Sequence, residues 1–275
     1  MAKSRSASSV SIGIQKTFET FQQGNRLINK LKPGTFTIKI ANTLEEREAV
    51  FRLSYQIYLA KGFIKENPQQ WHVRNYDHVD DTVILMVQDK EKKIVGSVTL
   101  VFENSIQLPA EKIYGDEIKK LRTNKFKIVE ISRLVIDPRF RNSKEVLVLL
   151  FNYLYIYTYF VKSYNCLTIE VNPRHIKYYE LLLNFKRIGN KMPCPNMLNA
   201  PAILLFNDLQ SEIETLRIYQ NSHLVKNRSL YSYFFKPDQE KLIAAYLEKQ
   251  AKPISQEEKI YFGFSFSGTQ EAVPI

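Results

Sequence analysis

FKIVEISRLVIDPRFR, residues 126–141, contains an apolar run from Lys127 to Ile136 broken by Glu130, Ser132 and Arg133. A run of that length rich in Ile and Val predicts a buried strand. Strand side chains alternate, which sends Glu130 and Ser132 to one face and Arg133 to the other. A carboxylate inside an apolar strand is costly unless it is paired, protonated or used. Asp137-Pro138 ends the strand, because proline has no N–H to give to a ladder. Arg139, Arg141 and Lys144 follow, and then a long apolar helix begins. A buried strand with one acid, a basic turn and a buried helix together suggest a catalytic arrangement.

The chain has 275 residues, enough for one large domain or one domain with appendages, and its 44% hydrophobic content permits a sizeable core. The net charge of +11 points to an anionic partner, or else to general solubility. Cys166 and Cys194 make neither a disulfide framework nor a zinc site, which fits a reducing compartment and a cytoplasmic location. The Ser-rich start, MAKSRSASSVSIGIQKTF, lacks the apolar core of a signal peptide. Val146 to Val161 is apolar almost all round, but it is shorter than the roughly 20 residues of a spanning helix. Lys144, Glu145 and Lys162 flank it closely, so a buried central helix is expected.

Working outward, residues 1–34 read as a flexible or loosely helical segment closed by the Pro33-Gly34 turn signal. Phe36–Ala41 is a strand, and Asn42 or Thr43 caps a helix that runs to about Lys61 with Val50, Phe51, Leu53 and Ile57 inward. Lys65–Asp81 is polar and irregular, an expected active-site loop. Thr82–Gln88 and Ile94–Phe102 form an antiparallel hairpin, and Ser105–Lys125 is a polar insertion with a short helix. After the central strand and the long helix come a strand at Leu167–Val171 and an amphipathic helix at Arg174–Asn184. Two last strands, Phe185–Met192 and Ala202–Phe206, flank a Pro-rich loop, Pro193–Pro201. A helix to about Tyr219, a basic-aromatic stretch, a helix at Gln239–Gln250 and a tail complete the chain. The order predicts an α+β fold: a mixed central sheet with helices on both faces and a C-terminal helical extension. The expected division is a segment at 1–34, the α+β domain at 35–209 and an extension at 210–275.

Four segments carry a family resemblance. VEISRLVID (129–137) is similar to the central motif of FeeM-type N-acyl amino acid synthases and acyl-homoserine-lactone synthases. FRLSYQIYLAKGFI (51–64), VNPRHIKYYELLLNFKRIG (171–189) and NAPAILLFNDL (199–209) resemble further segments of the first family, in the same order. The resemblance implies the fold of the GCN5-related N-acyltransferase (GNAT) superfamily. It also implies transfer of a long acyl chain from acyl carrier protein to the amine of an amino acid, with Glu130 as the base. Two positions depart from the pattern: Thr99 stands where many relatives have a basic residue, and Asn184-Phe185 replaces a commoner Gly-Phe.

The catalytic candidates are Glu130, Ser132, Arg133 and Leu134. Glu130 can take a proton from the attacking amine, or be a buried ion pair with Arg52 or Arg74. Strand N–H groups around Leu134, Val135 and Ile136 can serve an oxyanion if the strand splays. The turn Arg139-Phe140-Arg141-Asn142-Ser143-Lys144 has no glycine to cradle a pyrophosphate. Its charges suit an acidic carrier protein delivering a phosphopantetheine arm, or form a solvated loop. Leu150, Leu154 and Tyr157 belong to the core helix and are candidates for lining an acyl tunnel with Leu134. Arg52, Arg74, Asp77, Asp80, Asp81 and Thr99 are candidates for the acceptor site; the aspartates could hold its amino group or form turns. His72 and His78 have no other ligand candidates nearby, and no metal is expected. No bound cofactor is expected; acyl carrier protein, or acyl-coenzyme A, is the expected donor. The other readings are an S-adenosylmethionine-dependent acyl-homoserine-lactone synthase, a coenzyme A-dependent acetyltransferase, and a nucleic-acid or membrane-surface binder using HLVKNRSLYSYFFK (223–236). Nucleic acid is not the expected partner, and peripheral membrane contact is left open.

Overall fold

The computed structural model describes residues 35–103, 106–221 and 230–263. The expected N-terminal segment, and much of the 223–236 stretch, lie outside the described residues. The strands are β1 (Thr37–Ile40), β2 (Val83–Gln88), β3 (Ile94–Phe102), β4 (Ile128–Ile136), β5 (Cys166–Val171), β6 (Lys186–Arg187), β7 (Met192–Cys194) and β8 (Ala200–Asp208). They form a mixed sheet in the order β1-β2-β3-β4-β5-β8-β6, with β7 also on β8. Among the described residues only the β4–β5 pair is parallel, as the helical crossover between them requires.

Helices cover both faces. Thr43 caps α1 (Leu44–Ala60) by accepting the Glu46 N–H, and α1 lies over β3 and β4 together with α2 (Glu111–Thr123). The other face carries α3 (Lys144–Ile156), whose residues from Val146 onward are buried, followed by a π-helical turn at Tyr157–Val161. On that same face lie α4 (Ile176–Leu183), α5 (Leu209–Asn221) and α6 (Pro237–Gln250). Among the described residues no helix is long and apolar enough to cross a membrane.

Three expectations are corrected. The 105–125 insertion is not simply polar: α2 buries Tyr114, Ile118 and Leu121 against Leu108, Ala110 and Ile128. The single strand expected at 185–192 is two short strands, and β7 reaches into the Pro-rich loop, where Pro193 faces Pro201. The prolines are tolerated because β7 lies at the margin of the sheet. The tail beyond α6 is structured: α7 (Gln256–Tyr261), capped by Ser255, docks on α1. The Asn184-Phe185 departure is absorbed in a turn, since Asn184 ends α4 in the left-handed region at φ 52°, which Asn tolerates.

A C-terminal strap runs from α6 back to α1. The chain leaves α6 beside β1, an edge strand, where the Gln250 carbonyl accepts the Asn42 side-chain amide at 2.7 Å. Glu258 then pairs with Arg47 at 3.0 Å, both buried. Phe262 meets the Phe51 ring edge-to-face at 4.9 Å and the Trp71 ring at 5.3 Å. Lys259 reaches Asp80 at 2.8 Å, and the Tyr261 hydroxyl donates to Glu48 at 3.1 Å.

Gly189, between β6 and β7, makes room for Tyr114. A Cβ there would lie 2.6 Å from Tyr114 Cε1 and 3.0 Å from Leu204 Cβ. The Tyr114 hydroxyl donates to the Ala202 carbonyl at 2.8 Å, so its ring cannot easily give way. Gly189→Ala should destabilise the chain by about 1–3 kcal/mol, the usual range for overpacking. An unchanged denaturation midpoint would show that this side of the sheet is not tightly packed.

Candidate active site

The site is built on an irregularity of β4. Ser132 pairs with Thr99 of β3, but the next pair is Val135 with Ser97, so Val98 alone faces Arg133 and Leu134. The extra residue is Arg133, at φ +45°. Such a bulge interrupts the alternation. The expectation that Arg133 points away from Glu130 and Ser132 is therefore corrected: all three lie on the α1/α2 face. Arg133 touches Phe51 and Tyr76 there, while Leu134 and Ile136 turn to the α3 face.

Arg133 is 4% exposed and fully engaged except at Nε. It donates to Asp77 Oδ2 at 2.7 Å, to Asp77 Oδ1, to the His72 carbonyl at 2.7 Å and to Thr99 Oγ1 at 2.8 Å. Its guanidinium lies 5.0 Å from the Phe51 ring centroid and 5.3 Å from that of Tyr76. Burial pushes the Asp77 carboxyl upward, and the Arg133 guanidinium pulls it back. Thr99, which takes the place of a base in the expected pattern, serves as an acceptor for Arg133 rather than facing open space. His72 is buried, with both ring nitrogens unpartnered and its ring 4.4 Å from Tyr58; burial, then Arg74 and Arg133, lower its pKa well below the usual imidazole value.

Glu130 is 3% exposed. Its Oε2 accepts the Ala110 N–H at 2.8 Å, and among the described residues it forms no ion pair. The ion pair weighed above, with Arg52 or Arg74, is not formed: Arg52 pairs with Glu48, and Arg74 donates to the Asn196 carbonyl at 2.6 Å. Burial pushes the Glu130 carboxyl up to about 8, opposed by the Ala110 hydrogen bond and assisted by Glu170 and Glu111.

Just past Glu130 the sheet opens. β4 pairs with β5 only from Ile128↔Cys166 to Ile131↔Ile169. Beyond that point the strands part, with Ser132 on one lip and Glu170 on the other. The hydroxyls of Ser132 and Tyr76 are 2.8 Å apart. Thr168, opposite Glu130, is buried with its hydroxyl unpartnered.

The remaining sequence candidates lie in several places. Asp80 and Asp81 pair with Lys259 and Lys162, the latter at 3.3 Å. Arg139 folds back on Asp137 at 2.7 Å, which leaves exposed Arg141 and Lys144 as the outward charges of that turn. Leu150, Leu154 and Tyr157 are buried in the core that Leu134 also meets, across the sheet from Glu130. Ala110, Thr168 and Glu170 escaped the sequence reading, and Tyr76 entered it only as part of the expected 65–81 active-site loop. Of these Glu170 carried a signal, being a carboxylate inside the apolar strand CLTIEV.

The family model described as N-acyl amino acid synthase FeeM matches residues 49–208. Among solved structures, FeeM, an N-acyl amino acid synthase from uncultured soil microbes, is 20% identical with a TM-score of 0.59, covering 68% of this chain and 97% of its own. The AHL synthase LasI is 14% identical with a TM-score of 0.51, covering 64% of this chain and 91% of its own. No match was found among curated proteins.

Proposed function

The chain belongs to the N-acyl amino acid synthase FeeM family and is an N-acyltransferase, and on that premise we propose that it moves a long fatty acyl group from acyl carrier protein to the amine of an amino acid. The observation that carries this reading is a buried carboxylate without a cation, Glu130, one step behind the opening between β4 and β5. An amine must be neutral to attack a thioester. Glu130 takes one proton of the acceptor's ammonium group. The amine nitrogen then bonds to the thioester carbon, the carbon–sulfur bond breaks, and the second proton goes to the departing sulfur. The β4 backbone beyond the bulge, no longer paired to β5, offers N–H groups to the oxyanion.

The donor is read from the turn after β4. It has no glycine, and its exposed Arg141 and Lys144 suit an acidic carrier better than a buried pyrophosphate. The acyl chain is read from the core on the α3 face, where Leu134 packs against the cluster that holds Leu150, Leu154 and Tyr157. Each buried CH₂ contributes about 0.8 kcal/mol. A chain passing between the parted strands would enter this face of the sheet.

The test is mass spectrometry of lipid extracts from cells expressing the protein, followed by competition of acetyl, octanoyl and palmitoyl carriers in one reaction. N-acyl amino acids with the longer chains preferred are expected. A clear preference for acetyl would return the protein to the acetyltransferases of its fold. Equal use of acyl-coenzyme A would remove the carrier protein from the reading.

A further inference from the structure

We propose that Glu170 and Arg74 together form the seat of a zwitterionic α-amino acid, Glu170 receiving its ammonium group and Arg74 its carboxylate; this rests on the activity proposed above. The aspartates of the 65–81 loop are already engaged, Asp77 by Arg133, Asp80 by Lys259 and Asp81 by Lys162, so none of them presents a carboxylate without a cation. Glu170 does: it has no ion pair among the described residues, it is half-buried, and it stands on the lip where β5 leaves β4. Arg74 is its counterpart, a half-buried guanidinium with no ion pair among the described residues.

One short segment tethers both groups. The Cys194 thiol feels the Glu170 carboxylate electrostatically, and Asn196, two residues on, accepts from Arg74 through its carbonyl at 2.6 Å. Cys194 feels Arg74 electrostatically as well. Opposite charges that both act on Cys194, yet form no ion pair with each other, suit a ligand that carries the complementary pair. A guanidinium suits a carboxylate because its planar donors match two oxygens. A second observation points the same way. Thr168, on the same face of β5 and directly opposite Glu130, is fully buried with its hydroxyl unpartnered. An unsatisfied buried hydroxyl is costly, and Thr168 stands beside Glu130 in register and two residues before Glu170, where an ammonium would donate to it. The seat would then hold the amine within reach of Glu130 for proton removal. Acceptors lacking either charge would be discriminated against, since the matching protein charge is left unpaired.

The direct test is ligand-observed NMR on the full chain. The probes are the twenty common amino acids, their N-acetyl derivatives, which lack the ammonium, and their amides, which lack the carboxylate. The best-bound amino acid should lose about tenfold or more in affinity on either modification. Glu170→Gln and Arg74→Gln should each weaken that amino acid by a similar factor, with the KM for the acyl donor unchanged. Glu170→Asp, which keeps the charge, should recover part of the affinity, and it is the variant to read if the Gln chain does not fold. Affinity unchanged in Glu170→Gln, or in Glu170→Asp if that is the folded variant, or equal binding of the N-acetyl derivatives, would overturn the proposal. These are binding measurements. A chain that seats amino acids in this way but transfers no acyl group would instead overturn the activity on which the proposal rests.

Discussion

Glu130→Gln is expected to lower the rate of amide formation by about 10²–10⁴-fold, the range for losing a general base. The amide is nearly isosteric, and its oxygen can keep the hydrogen bond from the Ala110 N–H, but it cannot take a proton. Wild-type activity should rise with pH through about 8, where the buried carboxyl ionises, and the variant should lack this limb. Stability moves the opposite way. The folded chain holds the Glu130 proton up to about 8, while the unfolded chain releases it in the ordinary carboxylate range. Between those values the native state binds more protons, so this group's contribution to stability falls as pH rises and its penalty is complete above about 8. The Gln variant should be flatter in melting temperature over that window. Unchanged turnover in a chain of unchanged melting temperature would remove Glu130 from the chemistry.

Asp77→Ala is expected to cost about 3–5 kcal/mol of stability, because it strands the Arg133 guanidinium in the interior. The His72 carbonyl and Thr99 hydroxyl would remain as acceptors, but neither carries charge. The loss should be visible as a fall in the urea midpoint. Adding Arg133→Met should restore part of it, since the double variant buries no unpaired charge. A loss under about 1 kcal/mol, the size of a surface pair, would show that water reaches the guanidinium. Activity should also fall, because the pair ties the 65–81 loop to the bulge and so places Tyr76 against Ser132.

β4 and its acid were legible because a strand announces itself by apolar content, and a carboxylate within it stands out. The same criterion applied to CLTIEV singles out Glu170. The bulge was not legible. Arginine has no preference for φ +45°, and what holds Arg133 there are Asp77 and His72, 56 and 61 residues away. Periodicity assumes an unbroken ladder, so it sent Arg133 to the wrong face. The Ala110 N–H that meets Glu130 is a backbone group with no side-chain signature at all. The tail failed for a related reason. Ser255 and Glu258 form a capping box that can be read in sequence, but a helix of 6 residues is stable only through what it packs on, and that surface is Arg47 and Phe51.

The strap also sets the order in which the protein can be finished. Its bonds to Asn42, Arg47 and Glu48 span 208, 211 and 213 residues of chain. Contacts of such separation form late, after the loops between them have closed. On a ribosome, α1 emerges long before the residues that brace it. The Phe51 ring, which lies against the Arg133 guanidinium, therefore waits for Phe262 before its own packing is complete. Translation thus runs as a clock: the sheet can gather first, and the acid-bearing opening acquires its final support only when the strap arrives.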